Sequence, residues 1–231
     1  MAQLDGAWLD ANWDFEDAAV SEQRFRDAIS SMDGAAADEL RTQIARALGL
    51  QGKFAEALNT MSAISSDDPV VKQRVALERG RVHNSAGDVA QAIPYFLEAQ
   101  SLAADPYLTV DAMHMLAFTD IAKSEEWYRL AMEISQASTD PRVRRWQGSL
   151  LNNHAWSLAD SGDLAGALGV FREAESWFRE HGTLRQIHIA RWSVAHVLRR
   201  LGEIDAAREI LLDLKAQGEP DTYVDEELGL L

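Results

Sequence analysis

A ladder of small residues runs through this chain: Ala28, Ala57, Ala92, Ala131, Ala167 and Ala207, with spacings of 29, 35, 39, 36 and 40 residues. Three positions before each rung stands Phe25, Phe54, Val89, Tyr128, Leu164 or Ile204. Four positions after come Met32, Met61, Phe96, Ser135, Phe171 and Leu211, five of them apolar. A recurrence every roughly 20–50 residues marks an array in which no single unit buries its apolar face alone, so neighbours must stack.

Around each alanine the apolar and small positions recur as i, i+3, i+4 and i+7, which is a helical stripe: Val89, Ala92, Phe96 and Ala99 in the third repeat, Leu164, Ala167, Phe171 and Ala174 in the fifth. Turn signals precede the stripes at Gly52-Lys53, Gly87-Asp88, Gly162-Asp163 and Gly202-Glu203. Glycine adopts a left-handed conformation at a helix end at little cost, and an acid opening the next helix suits its dipole. A second helical stretch lies upstream of each turn, with Ala45, Gly80, Thr119, Ala155 or Ala195 twelve positions before the rung. Small residues at both places let two helices approach closely. Glu16 breaks this rule in the first repeat, as suits a terminal unit. Pro69, Pro106, Pro141 and Pro220 fall 10 to 14 residues past a rung, where a second helix is expected to end. Pro94 falls inside a second helix, where it removes one backbone hydrogen bond.

The third repeat carries Gly80, His83, Gly87, Ala92, Phe96 and Ala99, with Pro106 closing it. This resembles the tetratricopeptide repeat, and the likeness extends over about residues 10–217 as six repeats, some of the longer type. It is weaker in repeats one and four. In the fourth, no glycine marks the expected turn at Ser124 to Glu126, and Ser135 takes an apolar position. The resemblance implies an all-α, right-handed superhelix of stacked antiparallel hairpins. These fall at about 10–33, 36–66, 70–104, 108–138, 143–180 and 184–217, making one repeat domain over 1–217. Residues 218–231 form an acidic tail or cap: Tyr223, Val224 and Leu228 are placed to cover Ile210, Leu211 and Leu214, and the alternative cover is a second copy, giving a homodimer.

Nothing in the chain points to catalysis. There is no cysteine, no glycine-rich phosphate loop and no G-x-S-x-G turn. His188 and His196 are eight apart, about 12 Å along a helix, too far to chelate one metal. No cofactor or metal is expected. A net charge of -15 argues against nucleic acid and anionic membranes as partners. No apolar run approaches the roughly 18 residues of a spanning helix. The first fifteen residues carry Asp5, Asp10 and Asp14 and no Lys or Arg, unlike a secretory leader, so the cytoplasm is the expected compartment.

By the same resemblance, four positions of each first helix face a concave groove. They are Glu39, Thr42, Arg46 and Gly49 in repeat two, and Arg74, Leu77, Arg81 and Asn84 in repeat three. Repeat four supplies Met113, Leu116, Asp120 and Lys123; repeat five, Ser149, Asn152, Trp156 and Ala159; repeat six, Ile189, Trp192, His196 and Arg199. This set holds five basic residues against two acids, in a chain with 37 acids and 22 bases. Arginine forks pair with carboxylates, asparagine both donates to and accepts from a peptide backbone, and tryptophan anchors interfaces. The expected peptide-binding residues are therefore Arg46, Arg74, Arg81, Asn84, Asn152, Trp156, Trp192, His196 and Arg199, holding an acidic or extended segment of a partner protein. Thr42 and Leu77 replace the lysines of the family's carboxylate clamp, against a chaperone-tail ligand. The rival readings are a peptide-sensing regulatory module and a structural subunit that self-associates through its ends.

Overall fold

The computed structural model describes residues 4–14, 16–217 and 221–231. The described residues form α-helices, one short 3₁₀ turn and no strand, and none of the helices is long and apolar enough to cross a membrane. The fold is an all-α repeat solenoid of antiparallel hairpins. The chain divides into two compact units, residues 1–131 and 132–231.

The first unit holds α1 (Gly6–Asn12), α2 (Ala18–Ile29), α3 (Gly34–Leu50), α4 (Phe54–Ser62), α5 (Pro69–Ser85), α6 (Val89–Leu102), α7 (Pro106–Thr119) and the start of α8 (Ser124–Ala137). Here α5 packs on α6 within its hairpin and on α3 and α7 of neighbouring repeats. The second unit continues α8 and adds α9 (Pro141–Arg144), α10 (Trp146–Asp160), α11 (Leu164–His181), α12 (Leu184–Arg200), α13 (Ile204–Ala216) and α14 (Thr222–Gly229). From α10 onward each helix packs on the next.

The ladder alanines lie where two helices touch. Ala57, Ala92, Ala131, Ala167 and Ala207 are fully buried, and Ala28 is half-buried. Opposite them Ala45, Ala155 and Ala195 are fully buried too. At Gly80 the approach is closest: a Cβ there would stand 2.5 Å from the Phe96 ring. Ser135 is buried in its apolar position because its hydroxyl donates to Met132 O at 2.9 Å, leaving no orphaned polar group.

Gly52, Gly87, Gly162 and Gly202 adopt φ between +74° and +92°. Each is followed by an amide that reaches back to the last turn of the preceding helix, as Lys53 N does to Leu48 O at 2.9 Å and Asp163 N to Leu158 O at 2.9 Å. The fourth hairpin differs from expectation. Its first helix ends at Thr119, and a 3₁₀ turn over Ile121–Lys123 makes the connection, so α8 starts at Ser124 where a turn was expected. Asp120 closes this turn by accepting the Trp127 indole N–H at 3.1 Å.

The prolines act one element later than expected. Pro69, Pro106 and Pro141 occupy the first turns of α5, α7 and α9, behind the caps Asp68, Asp105 and Asp140. Proline has no N–H to lose there, and its fixed φ favours helix entry. Pro220 lies outside the described residues. Pro94 sits within α6, which continues through it to Leu102. The C-terminal segment forms α14, whose Val224 is buried against Leu211 and Leu214 while Leu228 packs beside them. The edge at Leu211 and Leu214 is therefore covered by the chain itself through Val224 and Leu228, while Tyr223, expected to join them, is 66 % exposed.

Candidate functional site

In the first unit the expected groove positions sort into buried ties and an accessible pocket. Arg74 is an internal residue, 6 % exposed, with its Nε 2.7 Å from Glu39 Oε1. Glu39 is also buried, and its other oxygen accepts the Leu4 amide at 3.0 Å. Thr42 and Leu77 are fully buried. Arg74 thus joins α5 to α3, and its side chain cannot reach a partner. Asp120 and Lys123, expected on the first helix of the fourth repeat, lie past the end of α7.

Arg81 sits between two acids. Its Nη1 donates to Glu78 at 2.6 Å, and its Nη2 pairs with Asp111 on α7. Burial works against its charge, but Asp111 and Glu78 outweigh that and raise its pKa above the ordinary arginine range. Arg46 approaches the same Glu78 at 3.9 Å and lies over the Trp13 ring, 5.4 Å from its centroid. Burial and the nearby Arg81 lower its pKa. Burial also pulls His114 down to about 4, with Asp111 opposing and Arg81 reinforcing the shift. Successive first helices are thereby tied side by side through Arg46, Glu78, Arg81 and Asp111. Between them opens a pocket of about 190 Å³, with Arg46, Glu78 and Arg81 at its polar side and Leu50, Val82 and Met115 at its apolar side. Asn84 is half-buried in the last turn of α5.

The second unit brings four of its expected residues together. Trp156 packs edge-on against Phe171 at 5.0 Å and lies 6.1 Å from Trp192 and 5.4 Å from His196, ring centre to ring centre. Trp192 stacks on His196 at 5.2 Å. Asn152 stands on the same helix as Trp156; its amide donates to Asn153 at 3.3 Å, and its carbonyl oxygen is buried with no hydrogen-bond partner among the described residues.

Over Trp192, His196 and Arg199 lies α14, a helix whose sequence Thr-Tyr-Val-Asp-Glu-Glu-Leu-Gly is acidic. Its Glu227 is 5 % exposed and clasped on both oxygens: His196 Nδ1 lies 2.6 Å from Oε1, and Arg199 Nε 2.6 Å from Oε2. Trp192 donates its indole N–H to Tyr223 O at 3.2 Å, and His188 meets Asp221 at 2.8 Å. Burial alone would raise both carboxyls. The bonds from Arg199 and His196 to Glu227, and from His188 and the Tyr223 and Val224 amides to Asp221, outweigh it and lower both pKa values. Sequence reasoning placed Trp192, His196 and Arg199 on one face but missed that the chain supplies its own acid there. The signal in the sequence is the acid pair Glu226-Glu227 within the acidic tail, whose adjacency gives no spacing that points to α12.

Among the described residues no three His, Asp or Glu side chains are grouped to hold a metal ion. What the arrangement offers is donors, aromatic faces and a shaped apolar wall, the means of recognition.

Comparison with known proteins agrees with the architecture. Tetratricopeptide-repeat family models match residues 42–108 and 189–213. Among solved structures, BtubC (BKLC) from P. vanneervenii is 18 % identical, with a TM-score of 0.62 over 94 % of this chain and 95 % of its own. The nearly identical TPR-like repeats of a protein from Podosopora anserina assigned as a kinesin light chain are 15 % identical, with a TM-score of 0.56 over 76 % of this chain and 92 % of theirs. At such identities the likeness is one of fold. No curated protein matches in sequence.

Proposed function

Because this chain belongs to the tetratricopeptide-repeat family, and so is a protein–protein interaction module, we propose that it binds an acidic or extended peptide segment of a partner along the faces of its first helices. The observation that carries this reading is α14. In the second unit Trp192, His196 and Arg199 hold an acidic segment of the chain itself, with the indole on a backbone carbonyl and the guanidinium and imidazole on a carboxylate. In the first unit the matching face has a pocket in which Arg46 and Arg81 stand beside Leu50 and Met115. Helices already fixed by packing lose little freedom on binding, which favours a rigid receptor.

The test is an array of extended acidic peptides, with their Gln/Asn counterparts as controls, probed with the full chain and with Arg46→Gln/Asn84→Ala. Both replaced residues are only half-buried, so helicity measured by far-UV circular dichroism should be retained. Acidic peptides should bind the double variant about tenfold more weakly, the loss of one or two charge-assisted hydrogen bonds. Equal binding by both proteins, or no preference for acidic peptides, would remove the first-unit face from the proposal.

A second reading has its own observation. Leu212, Tyr223 and Leu230, at the C-terminal end, are 52 %, 66 % and 63 % exposed, which favours self-association through that end. Sedimentation of Leu212→Ser/Leu230→Ser beside the parent separates the two: a dimer lost in the variant supports end-to-end association.

A further inference from the structure

A second cavity lies in the unit of residues 132–231 and shares no residue with the proposed peptide face. The stretch from Pro141 to Ala159 contains Arg142, Arg144 and Arg145 and no Asp or Glu, in a chain with 37 acids. The fold turns this local excess into a cavity of about 250 Å³, lined by Pro141, Arg144, Arg145, Trp177 and His181.

The walls are built rather than incidental. Gly148 lets α11 come close to α10: a Cβ there would stand 2.6 Å from both Trp177 and Phe178, so the indole is seated against helix backbone. Phe178 meets Trp177 edge-on at 5.4 Å, and His181 lies 4.9 Å from it, which holds the indole plane. The Arg144 side chain is exposed and makes no hydrogen bond or ion pair among the described residues, its backbone amide alone donating, to Asp140 O at 3.0 Å. Glu180, next to His181 in sequence, is largely exposed and approaches its ring at 3.7 Å.

We propose that this cavity binds a single aromatic ring bearing an oxyanion, with the ring against Trp177 and Pro141 and the anion on the guanidinium of Arg144, beside Arg145. The volume is below the roughly 300–1,000 Å³ typical of pockets for larger ligands, which limits the occupant to about one ring. An indole face rewards ring contact, and an arginine fork matches the planar geometry of a carboxylate. The ligand has two sources with the same chemistry: a free aromatic acid, or an aromatic residue at the C-terminus of a polypeptide.

The experiment follows the indole N–H signal of Trp177 by NMR in the full ¹⁵N-labelled chain, the signal being identified by its loss in Trp177→Phe. The probes are benzoate, benzamide, acetate, inorganic phosphate and the peptide N-acetyl-Gly-Gly-Phe. Benzoate should shift the signal with half-saturation at least about tenfold lower than benzamide, acetate or phosphate, and Arg144→Ala should weaken benzoate by a similar factor. Arg144 has no partner to lose, so the variant's thermal midpoint reports whether its fold is intact. If N-acetyl-Gly-Gly-Phe matches benzoate, the ligand is a polypeptide terminus; if it binds tenfold more weakly, a free acid. Equal binding of benzamide, acetate or phosphate overturns the proposal, as does unchanged binding by Arg144→Ala or a silent signal up to about 10 mM benzoate. None of these outcomes depends on the peptide array, so the two proposals fail separately.

Discussion

Single atoms decide how closely these hairpins close. Gly80 and Gly169 are both helical glycines, yet a Cβ at Gly80 would collide with the Phe96 ring at 2.5 Å, while at Gly169 nothing lies within 4 Å. Gly80→Ala should therefore destabilise the protein by about 1–3 kcal/mol, because Phe96 is fully buried and cannot step aside. Gly169→Ala should stabilise it by about 0.5–1 kcal/mol through helix propensity alone. Chemical denaturation of the two variants beside the parent checks both signs. Arg81 is the charged counterpart. Removing it by Arg81→Ala strips Glu78 and Asp111, each about 1 % exposed, of its hydrogen bonds and leaves Arg46 3.9 Å from Glu78, at a cost of about 3–5 kcal/mol. A loss under 1 kcal/mol would mean that the tie contributes little. Gly80 was readable from its place in the ladder. Glu78 is a same-helix neighbour of Arg81 at i−3, but Asp111 was not readable, because it arrives from 30 residues away on α7.

Among the elements, α14 has the most consequence. It lies against α12 and α13 through Val224 and Leu228, with Leu231 packing just past its end, and is fixed by Glu227, Asp221 and Lys215–Asp225. Glu227→Gln removes the charge that Arg199 and His196 share, so amide hydrogen exchange over Thr222–Gly229 should accelerate about tenfold or more, with α5 and α6 unchanged. The pH dependence has a definite sign. Asp221 and Glu227 have folded pKa values depressed from 3.8 and 4.5, so their contribution is complete above those unfolded values. It is lost as pH falls through the depressed folded values. Exchange in α14, once corrected for the intrinsic rate, should thus rise on acidification below about pH 4. Protection that persists at pH 3 would show that apolar packing alone holds this helix.

For the whole molecule the surplus of acid matters most. A net charge of -15 repels itself, and that repulsion is long-ranged and screened by salt. The inter-helix ties work at contact distance and are buried, as at Arg74–Glu39, where the side chains are 7 % and 3 % exposed. Salt weakens such pairs much less. Raising ionic strength from about 20 to about 200 mM should therefore increase the thermal midpoint by a few degrees. A fall would mean that exposed pairs such as Lys72–Asp67 and Lys215–Asp225 carry more of the stability than the buried ones.

The sequence by itself determined the repeat. Alanine and glycine rungs, apolar stripes and the left-handed glycines at Gly52, Gly87, Gly162 and Gly202 are local requirements of one hairpin, and a local requirement is written in consecutive residues. Trp192, His196 and Arg199 share one helix at helical spacing, and the family resemblance is what suggested that face. Only the tertiary structure decided which charges are open to a partner. Arg74 and Arg81 turn inward onto acids of neighbouring helices, and Glu227 folds back from the far end of the chain. The fourth turn also needed tertiary structure, because a 3₁₀ segment closed by Asp120 and Trp127 does the work of a glycine. Ion pairs carry no periodicity: they are set by which helices lie side by side, and that is a property of the stack, not of any one repeat.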